Sequence, residues 1–132
     1  MTELTLPFPP SVNHYWRRVN GRVYISRRGQ AFRASVCTIL AAQRVRPIRG
    51  RLALVVYVYP PDERRRDLDN VLKALLDALE HGGAYADDSQ ICDLYVHRGP
   101  VTPGGEVWVQ LVPYDRTNVD YGRKRPDRGD IG

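Results

Sequence analysis

The feature that most constrains the fold is a stripe of apolar residues that starts directly after Asp67, between two acids. From position 68 to position 79 the apolar side chains recur every three or four residues. This spacing predicts an amphipathic helix that turns one face toward a core. Gly82 and Gly83 end the pattern, because glycine readily adopts the left-handed conformation that closes a helix. The charged residues of the opposite face are Asp69, Lys73, Asp77 and Glu80.

Four β-rich runs surround this helix along the chain. They cover residues 3–8, 51–59, 91–97 and 106–112, and their aliphatic, β-branched and aromatic residues are typical of strands. Asn20 and Gly21 separate two further short runs. This pair is a strong hairpin signal, since both residues tolerate positive φ. The sequence therefore predicts a small mixed sheet of about four strands and a β-hairpin near the N-terminus.

A second helix is predicted between the hairpin and the strand at residues 51–59. Ser26 can cap its start, and Pro47 marks its end. The apolar residues spaced for one buried face are Phe32, Val36, Ile39 and Leu40. With two main helices and a mixed sheet, the expected fold class is α/β, of the α+β type.

The length and composition favour one globular domain. The 132 residues suffice for one adequate core. Apolar residues nearly vanish after position 114, so we expect a domain over residues 1–114 and a flexible charged tail over residues 115–132. No run approaches the roughly 18 apolar residues of a membrane span. The N-terminus lacks a secretion pattern, which predicts a cytoplasmic protein. Cys37 and Cys92 show no metal or redox spacing and are expected to be reduced thiols.

The charge of the chain suits a nucleic-acid partner. The net charge is +5, and 18 of the 20 cations are arginine. Arginine binds phosphate groups bidentately. A GC-rich coding sequence gives the same bias, and composition does not separate the two explanations. Lys73 is one of only two lysines. The arginine bias does not explain it, so it is more informative about function than any single arginine.

Two segments carry side chains suited to DNA. Arg64, Arg65 and Arg66 form the segment that leads into the central helix. The other segment is aromatic and basic, and it lies near the N-terminus. Its candidate DNA contacts are Asn13, Tyr15, Arg17 and Arg18. Aromatic rings stack on bases, and arginines contact phosphates. The alternative is that this segment folds over the core with Tyr15 and Trp16 buried.

The acids beside the central helix form a candidate site for a divalent metal. Asp67 and Asp69 open the helix, and Asp88 lies in a short turn after it. Two acids two positions apart diverge inside a helix, but they can converge on one ion if Asp67 is still extended. Carboxylate oxygens are the ligands that Mg²⁺ prefers. The alternatives are an ordinary N-cap for Asp67 and a favourable first-turn anion for Asp69.

Lys73 lies one helical turn beyond Asp69 on the same face. Its ammonium group can reach a scissile phosphate, or lower the pKa of an attacking water by its charge. A surface ion pair with Asp69 is the alternative interpretation.

Together, these residues resemble the RusA family of Holliday-junction resolvases. The resemblance rests on RRRDLDN at residues 64–70, Lys73, and the pair Asp87 and Asp88. The segments PPSVNHY, GQAFR and PVTPGG follow the same order, at residues 9–15, 29–33 and 100–105. The similarity extends over about residues 3–113 of this chain.

This resemblance implies metal-binding and catalytic roles for Asp67, Asp69 and Asp88, and a catalytic role for Lys73. It implies a homodimer of small α/β fold that depends on Mg²⁺, with Mn²⁺ as a substitute, and uses no small-molecule cofactor. The implied activity is paired nicking of four-way junction DNA in recombination and repair, in the cytoplasm and at the nucleoid of a bacterial or phage-infected cell. The alternatives are a junction-binding protein that does not cleave and a nuclease of flaps or other branched DNA.

Overall fold

A four-stranded mixed sheet forms the centre of the protein. The structure, a computed structural model, describes residues 2–114. The strands are β1 (Thr2–Pro7), β2 (Trp16–Val19), β3 (Arg22–Ile25), β4 (Leu52–Tyr59), β5 (Ile91–Arg98) and β6 (Glu106–Pro113). The sheet has the order β1-β6-β4-β5. β6 is antiparallel to β1 and β4, whereas β4 and β5 are parallel. The predicted four-stranded mixed sheet is therefore confirmed.

The remaining two strands, β2 and β3, form a separate antiparallel ribbon. Asn20 and Gly21 at its tip have φ angles of 50° and 77°. These are the left-handed conformations that a two-residue hairpin turn needs. The hairpin prediction is confirmed.

Within residues 2–114 the α-helices are α1 (Val12–Tyr15), α2 (Arg27–Ala42) and α3 (Leu72–His81). Ser26 caps α2 as predicted, since its Oγ accepts a hydrogen bond from the Gly29 N–H at 3.0 Å. α2 ends before the position that Pro47 suggested, because the backbone N–H groups after Ala42 bond back to carbonyls of its last turn. α1 is a single turn within the aromatic and basic segment near the N-terminus.

The central helix is divided into two parts. A 3₁₀ turn covers Leu68–Val71, and α3 follows it directly. Gly83 has a φ of 87°, and it ends α3 in the left-handed conformation that the glycine pair predicted. Because β4 and β5 are parallel, the chain must cross back between them. α3 makes this crossing, so it begins beyond the end of β4 and finishes before the start of β5.

The main core lies between the sheet and the two long helices. Val36 and Leu40 of α2, and Leu75 and Leu79 of α3, pack with the sheet in one buried cluster. A smaller cluster lies on the other face of the sheet and consists of Ala53, Val55, Tyr59, Trp108 and Val112. Successive side chains of β6 point to opposite faces of the sheet, so this strand contributes residues to both clusters.

Three further predictions concern cysteines, membrane spans and the tail. Cys37 and Cys92 are free thiols as predicted, although Cys92 is exposed. None of the helices within residues 2–114 is long and apolar enough to cross a membrane. The predicted tail, residues 115–132, lies outside the described residues.

Candidate active site

The N-terminal end of α3 carries the first two candidate metal ligands. Asp67 and Asp69 are both exposed. Asp67 is extended, with φ −84° and ψ 141°, and its carbonyl accepts a hydrogen bond from the Asn70 N–H at 3.1 Å. Asp69 lies within the 3₁₀ turn. Asp67 therefore has the extended conformation that convergence with Asp69 on one ion requires.

A groove of about 430 Å³ borders this end of the helix. Its cationic and polar side chains are Ser11, His14, Arg28, Arg64, Arg65, Arg66 and Asn70. Arg66 Nη1 donates to Asp62 Oδ1 at 2.7 Å, and the Arg64 N–H donates to the same oxygen at 2.9 Å. These bonds, that of Arg66 first, hold the pKa of Asp62 at about 2, well below its usual range. Asp62 therefore organises the arginines, which present donors suited to phosphate oxygens.

The C-terminal end of α3 carries a second acidic group. The carboxylate oxygens of Glu80, Asp87 and Asp88 lie within 4.8 Å of one another. The Asp88 N–H donates to Glu80 Oε1 at 2.9 Å, which ties the turn to the helix. A cavity of about 360 Å³ at this group is lined by Lys73, Leu76, Asp77, Glu80, Asp87 and Asp88. Such an all-carboxylate set suits a hard cation such as Mg²⁺ or Mn²⁺.

The two acids of the turn differ in their surroundings. Asp87 caps a short 3₁₀ turn (Asp88–Gln90), and its Oδ1 accepts a hydrogen bond from the Ser89 N–H at 3.0 Å. This bond lowers the pKa of Asp87. Asp88 follows the cap and has an exposed side chain. Asp87 therefore shapes the turn, and both Asp87 and Asp88 are exposed and line the cavity.

Gln90 fixes this turn to the rest of the protein. Its Oε1 accepts from the N–H groups of Ala86 and Asp87 at 2.9 and 3.0 Å. Its Nε2 donates to the carbonyls of Ile48 and Gly50 at 2.9 and 2.7 Å. Four hydrogen bonds from one side chain hold the acidic turn in place.

Asp77, in the middle of α3, is paired inside the protein. Arg33 Nη2 donates to Asp77 Oδ2 at 2.7 Å, and the Tyr15 hydroxyl donates to the same oxygen. Partial burial opposes the ionisation of Asp77, but these two donors outweigh it and its pKa is lowered. Burial, followed by the hydrogen bond to Asp77, raises the pKa of Tyr15 to about 12. The three side chains join all three helices.

This arrangement corrects one of the expected DNA contacts. Tyr15 is completely buried, and its ring meets that of Trp16 edge-to-face at a centroid distance of 4.9 Å. It is therefore a core residue and is not available to stack on DNA, as the alternative interpretation of this segment held. Asn13, Arg17 and Arg18 are exposed.

The two acidic groups lie at opposite ends of α3. Asp69 precedes Glu80 by eleven positions, which corresponds to between about 15 and 20 Å along helices of these types. Strand β5 shows the same separation between the two acidic groups. Arg98 Nη2, at the end of β5, donates to the Arg66 carbonyl at 2.7 Å, whereas Asp88 precedes the start of that strand. A strand of this length spans about 23 Å.

The predicted site residues are therefore only partly brought together within one copy. Lys73 and Asp88 line the same cavity. Within residues 2–114, the carboxylate group close enough to hold one ion contains Asp88 but neither Asp67 nor Asp69.

Residues 7–111 match the family described as Endodeoxyribonuclease RusA. The chain belongs to the RusA family. The crossover junction endodeoxyribonuclease RusA of Enterobacteria phage HK97 is 44% identical over 110 residues, which are 83% of this chain and 92% of that protein. The proteins of the same name from Enterobacteria phage 82 and from Escherichia coli strain K12 are 42% and 41% identical over 109 residues. These segments cover 79% of this chain and 88% of each relative.

The RusA match confirms the family that the sequence motif indicated, and it spans all four predicted site residues. Sequence reasoning assigned no function to Glu80, Asp62 or Gln90. Glu80 lies on the same predicted helix face as Lys73, which was a usable signal. Gln90 follows Asp87 by three positions, which is the spacing of a capping box. Nothing local in the sequence indicates that Asp62 orients the arginines.

Proposed function

We propose that this member of the RusA family is a Mg²⁺-dependent endodeoxyribonuclease that makes paired nicks in four-way DNA junctions. Its relatives at 41–44% identity carry the name crossover junction endodeoxyribonuclease. The observation that carries the proposal is the position of the arginine groove. The groove is lined by Arg66 and Asn70, which flank Asp67 and Asp69 in the chain, and Lys73 lines the cavity of Asp88.

The arginines would position the DNA backbone. Arg64, Arg65 and Arg66 present donors along the groove, and the exposed Arg17 and Arg18 lie on the β2–β3 ribbon. Phosphate contacts fix the register of a duplex arm and carry no sequence information. Asn13 is exposed beside the ribbon and would add a polar contact. Such a surface suits recognition of DNA shape.

The acids and the lysine would carry the chemistry. Asp67, Asp69 and Asp88 would hold Mg²⁺, or Mn²⁺ as its substitute, and Glu80 offers one more carboxylate beside Asp88. When bound, the ion supplies charge stabilisation for the pentacoordinate phosphate and an activated water. The Lys73 ammonium group would stabilise negative charge that develops on the phosphate oxygens. The arginines would keep the scissile bond in line with these groups.

The substrate also determines the assembly that we propose. Resolving a four-way junction needs two nicks, and one chain offers one set of site residues, so a homodimer would cut both strands. No small-molecule cofactor enters this chemistry. The relatives come from phages and bacteria, and we place the activity on cytoplasmic, nucleoid-associated DNA.

The test uses purified full-length protein with four-way, flap and linear duplex DNA, each in Mg²⁺ and in EDTA. We expect symmetrical nicks in the four-way junction with Mg²⁺, and binding without cleavage in EDTA. Binding without cleavage in Mg²⁺ would identify a junction-binding protein. Faster cleavage of flaps would identify a nuclease of another branched structure. Either result would replace the proposal.

A further inference from the structure

A second pocket, of about 450 Å³, lies beside the arginine groove. Its volume is within the range of about 300–1,000 Å³ that is typical of small-molecule sites. The apolar side chains that line it are Pro7, Phe8, Pro10, Ala31, Phe32 and Pro61. The residues that it shares with the groove are Phe8, Pro10, Arg28 and Pro61. The pocket and the groove are therefore neighbours, and the proposed function uses only the groove.

One face of α2 forms part of the pocket. Arg28, Ala31, Phe32 and Ser35 recur at helical spacing along it. Phe32 is 5% exposed and belongs to the main core. The core therefore anchors this part of the pocket.

The turn before β6 contributes another part. Gly104 lines the pocket, and Gly105 follows it, with φ angles of 82° and 70°. A Cβ atom at Gly105 would lie 2.9 Å from Phe8 Cβ and 3.0 Å from Pro61 Cδ. The turn thus packs against two residues that line both the pocket and the groove. Because proline also fixes its own φ angle, this part of the pocket is formed before a ligand binds.

Two polar side chains lie among the apolar ones. Arg28 and Ser35 line the pocket and are both exposed. Arg28 forms no ion pair with any residue from 2 to 114, so its guanidinium can donate to a ligand. An apolar pocket with a few polar groups suits a flat ring that has hydrogen-bonding groups on its edge.

Phe8 connects the pocket to the arginines of the groove. The Arg66 guanidinium carbon lies over the Phe8 ring, 5.7 Å from its centroid, and Arg66 lines the groove. Aromatic side chains beside a cationic groove are the arrangement that binds single-stranded nucleic acid, since the bases stack while the cations contact the phosphates. One nucleotide carries both parts, an anionic phosphate and a flat ring with apolar faces.

We propose that this pocket binds one unstacked base of the junction DNA while phosphates of the same strand lie in the arginine groove. This inference rests on the proposed function, since it adds a binding site for the same substrate. Unstacking costs least where the stacking of bases is already disturbed, so the bound base comes from the branch point. Arg28, which lines both cavities, donates to the edge of this base.

The fluorescent base analogue 2-aminopurine tests the inference, because stacking on neighbouring bases quenches it. Full-length protein is added in EDTA to four-way junctions that carry the analogue at each position beside the branch point in turn. We expect a several-fold rise in fluorescence at one of these positions. A bound junction without a rise at any of them would overturn the inference.

A filled pocket should remove this signal. Ala31→Phe places a ring in the pocket from an exposed position of α2, and it is expected to abolish the rise while the junction still binds. Ala41→Phe is the matched control, because Ala41 is an exposed alanine of the same helix that lines neither cavity. It lies ten positions further along, about 15 Å away, and should keep the full rise. A rise that persists in Ala31→Phe would overturn the inference, since the base would then unstack without the pocket. Circular dichroism melting confirms that both variants are folded.

A second readout needs no substitution. Acrylamide quenches 2-aminopurine that is exposed to solvent, so the base bound by wild-type protein should be quenched less than the same base in a free single strand. Equal quenching would overturn the inference. Cleavage in Mg²⁺ is measured separately. If the pocket-dependent rise is present without cleavage, the proposed function fails and the base site stands; if cleavage occurs without the rise, the base site fails and the proposed function stands.

Discussion

The two ends of α3 differ in what surrounds their acids. At the N-terminal end, Asp67 and Asp69 lie beside an arginine groove. At the C-terminal end, Glu80, Asp87 and Asp88 lie within 4.8 Å of one another, and Lys73, in the first turn of α3, lines their cavity. One end offers cations that attract a phosphate backbone, and the other concentrates negative charge that repels it.

This difference separates binding from chemistry. Arginines that bind DNA need no metal, so junction affinity should survive in EDTA. Clustered carboxylates favour the approach of a phosphate only when a cation neutralises them. We therefore expect substitutions of the acids to reduce the cleavage rate without weakening junction binding. Substitutions of the arginines should mainly weaken junction binding.

The largest expected effect comes from the acids at either end. Asp69→Asn and Asp88→Asn should each reduce single-turnover cleavage by about 10³-fold or more, because several kcal/mol of charge stabilisation are lost. Junction affinity in EDTA should be equal or tighter, as measured by gel shift. Asp87→Asn is the matched control and should cost much less, since Asp87 caps the turn. Equal losses for Asp87 and Asp88 would mean that both acids act.

Lys73→Ala should reduce the single-turnover rate by about 10²-fold, because the ammonium group stabilises charge on the phosphate. Lys73→Arg should also be poor, since a planar guanidinium does not replace a compact charge at fixed reach. The comparison uses saturating Mg²⁺ and melting curves for each variant. A near-normal rate for Lys73→Ala would make the lysine only a surface partner of the nearby acids.

Asp77→Asn sharpens the contrast with the other acids of α3, because its main effect should be on stability. Its pair with Arg33 is partly exposed, so we expect a loss of about 1–2 kcal/mol in the free energy of unfolding. Glu63→Gln, at an exposed position, should change it by less than about 0.5 kcal/mol. Denaturant titrations measure both values. An unchanged stability for Asp77→Asn would contradict the role of this pair.

The group formed by Tyr15, Arg33 and Asp77 also predicts that the stability of the protein depends on pH. The lowered pKa of Asp77 gives stability that is present above its ordinary pKa and is lost as the pH falls through the folded value. The pKa of Tyr15 is raised from 10.0 to about 12, so its contribution is present below pH 10.0 and is lost as the pH rises toward 12. Asp77→Asn should flatten the acid limb of the stability curve, and Tyr15→Phe should flatten the alkaline limb.

The smallest effect is expected from a single arginine of the groove. Arg65→Gln should weaken junction binding by less than about tenfold and reduce the slope of log affinity against log salt by about 0.9. Arg46→Gln, an exposed arginine outside the groove, should leave the slope unchanged. Equal slopes for wild type and Arg65→Gln would remove Arg65 from the phosphate contacts.

The parts of the fold that local patterns encode could be predicted from the sequence. The Asn20–Gly21 turn and the Ser26 cap each depend on the conformational or hydrogen-bonding preference of one or two residues. The 3.6-residue period from Leu68 to Leu79 likewise predicted the helix and its buried face. The split between the 3₁₀ turn and α3 changes little in this pattern and was not predicted.

The parts that depend on tertiary structure could not be predicted. Tyr15 is buried with its hydroxyl bonded to Asp77, which lies 62 positions later in the chain. Separation of Asp69 from Asp88 follows from the parallel pairing of β4 and β5, which makes α3 a spacer between the two acids. The spacing of residues along the chain indicates neither the burial of Tyr15 nor the separation of Asp69 from Asp88.

Metal binding tests most directly whether the acids at the two ends of α3 serve one site. Calorimetric titration of the DNA-free protein with Mn²⁺ would compare wild type, Asp69→Asn and Asp88→Asn, with Asp87→Asn as the control. We predict that Asp69→Asn and Asp88→Asn each abolish the same binding isotherm, while Asp87→Asn retains it. If each of the two variants instead keeps a Mn²⁺ site that the other loses, the two ends bind metal independently and the account of a single shared site is wrong.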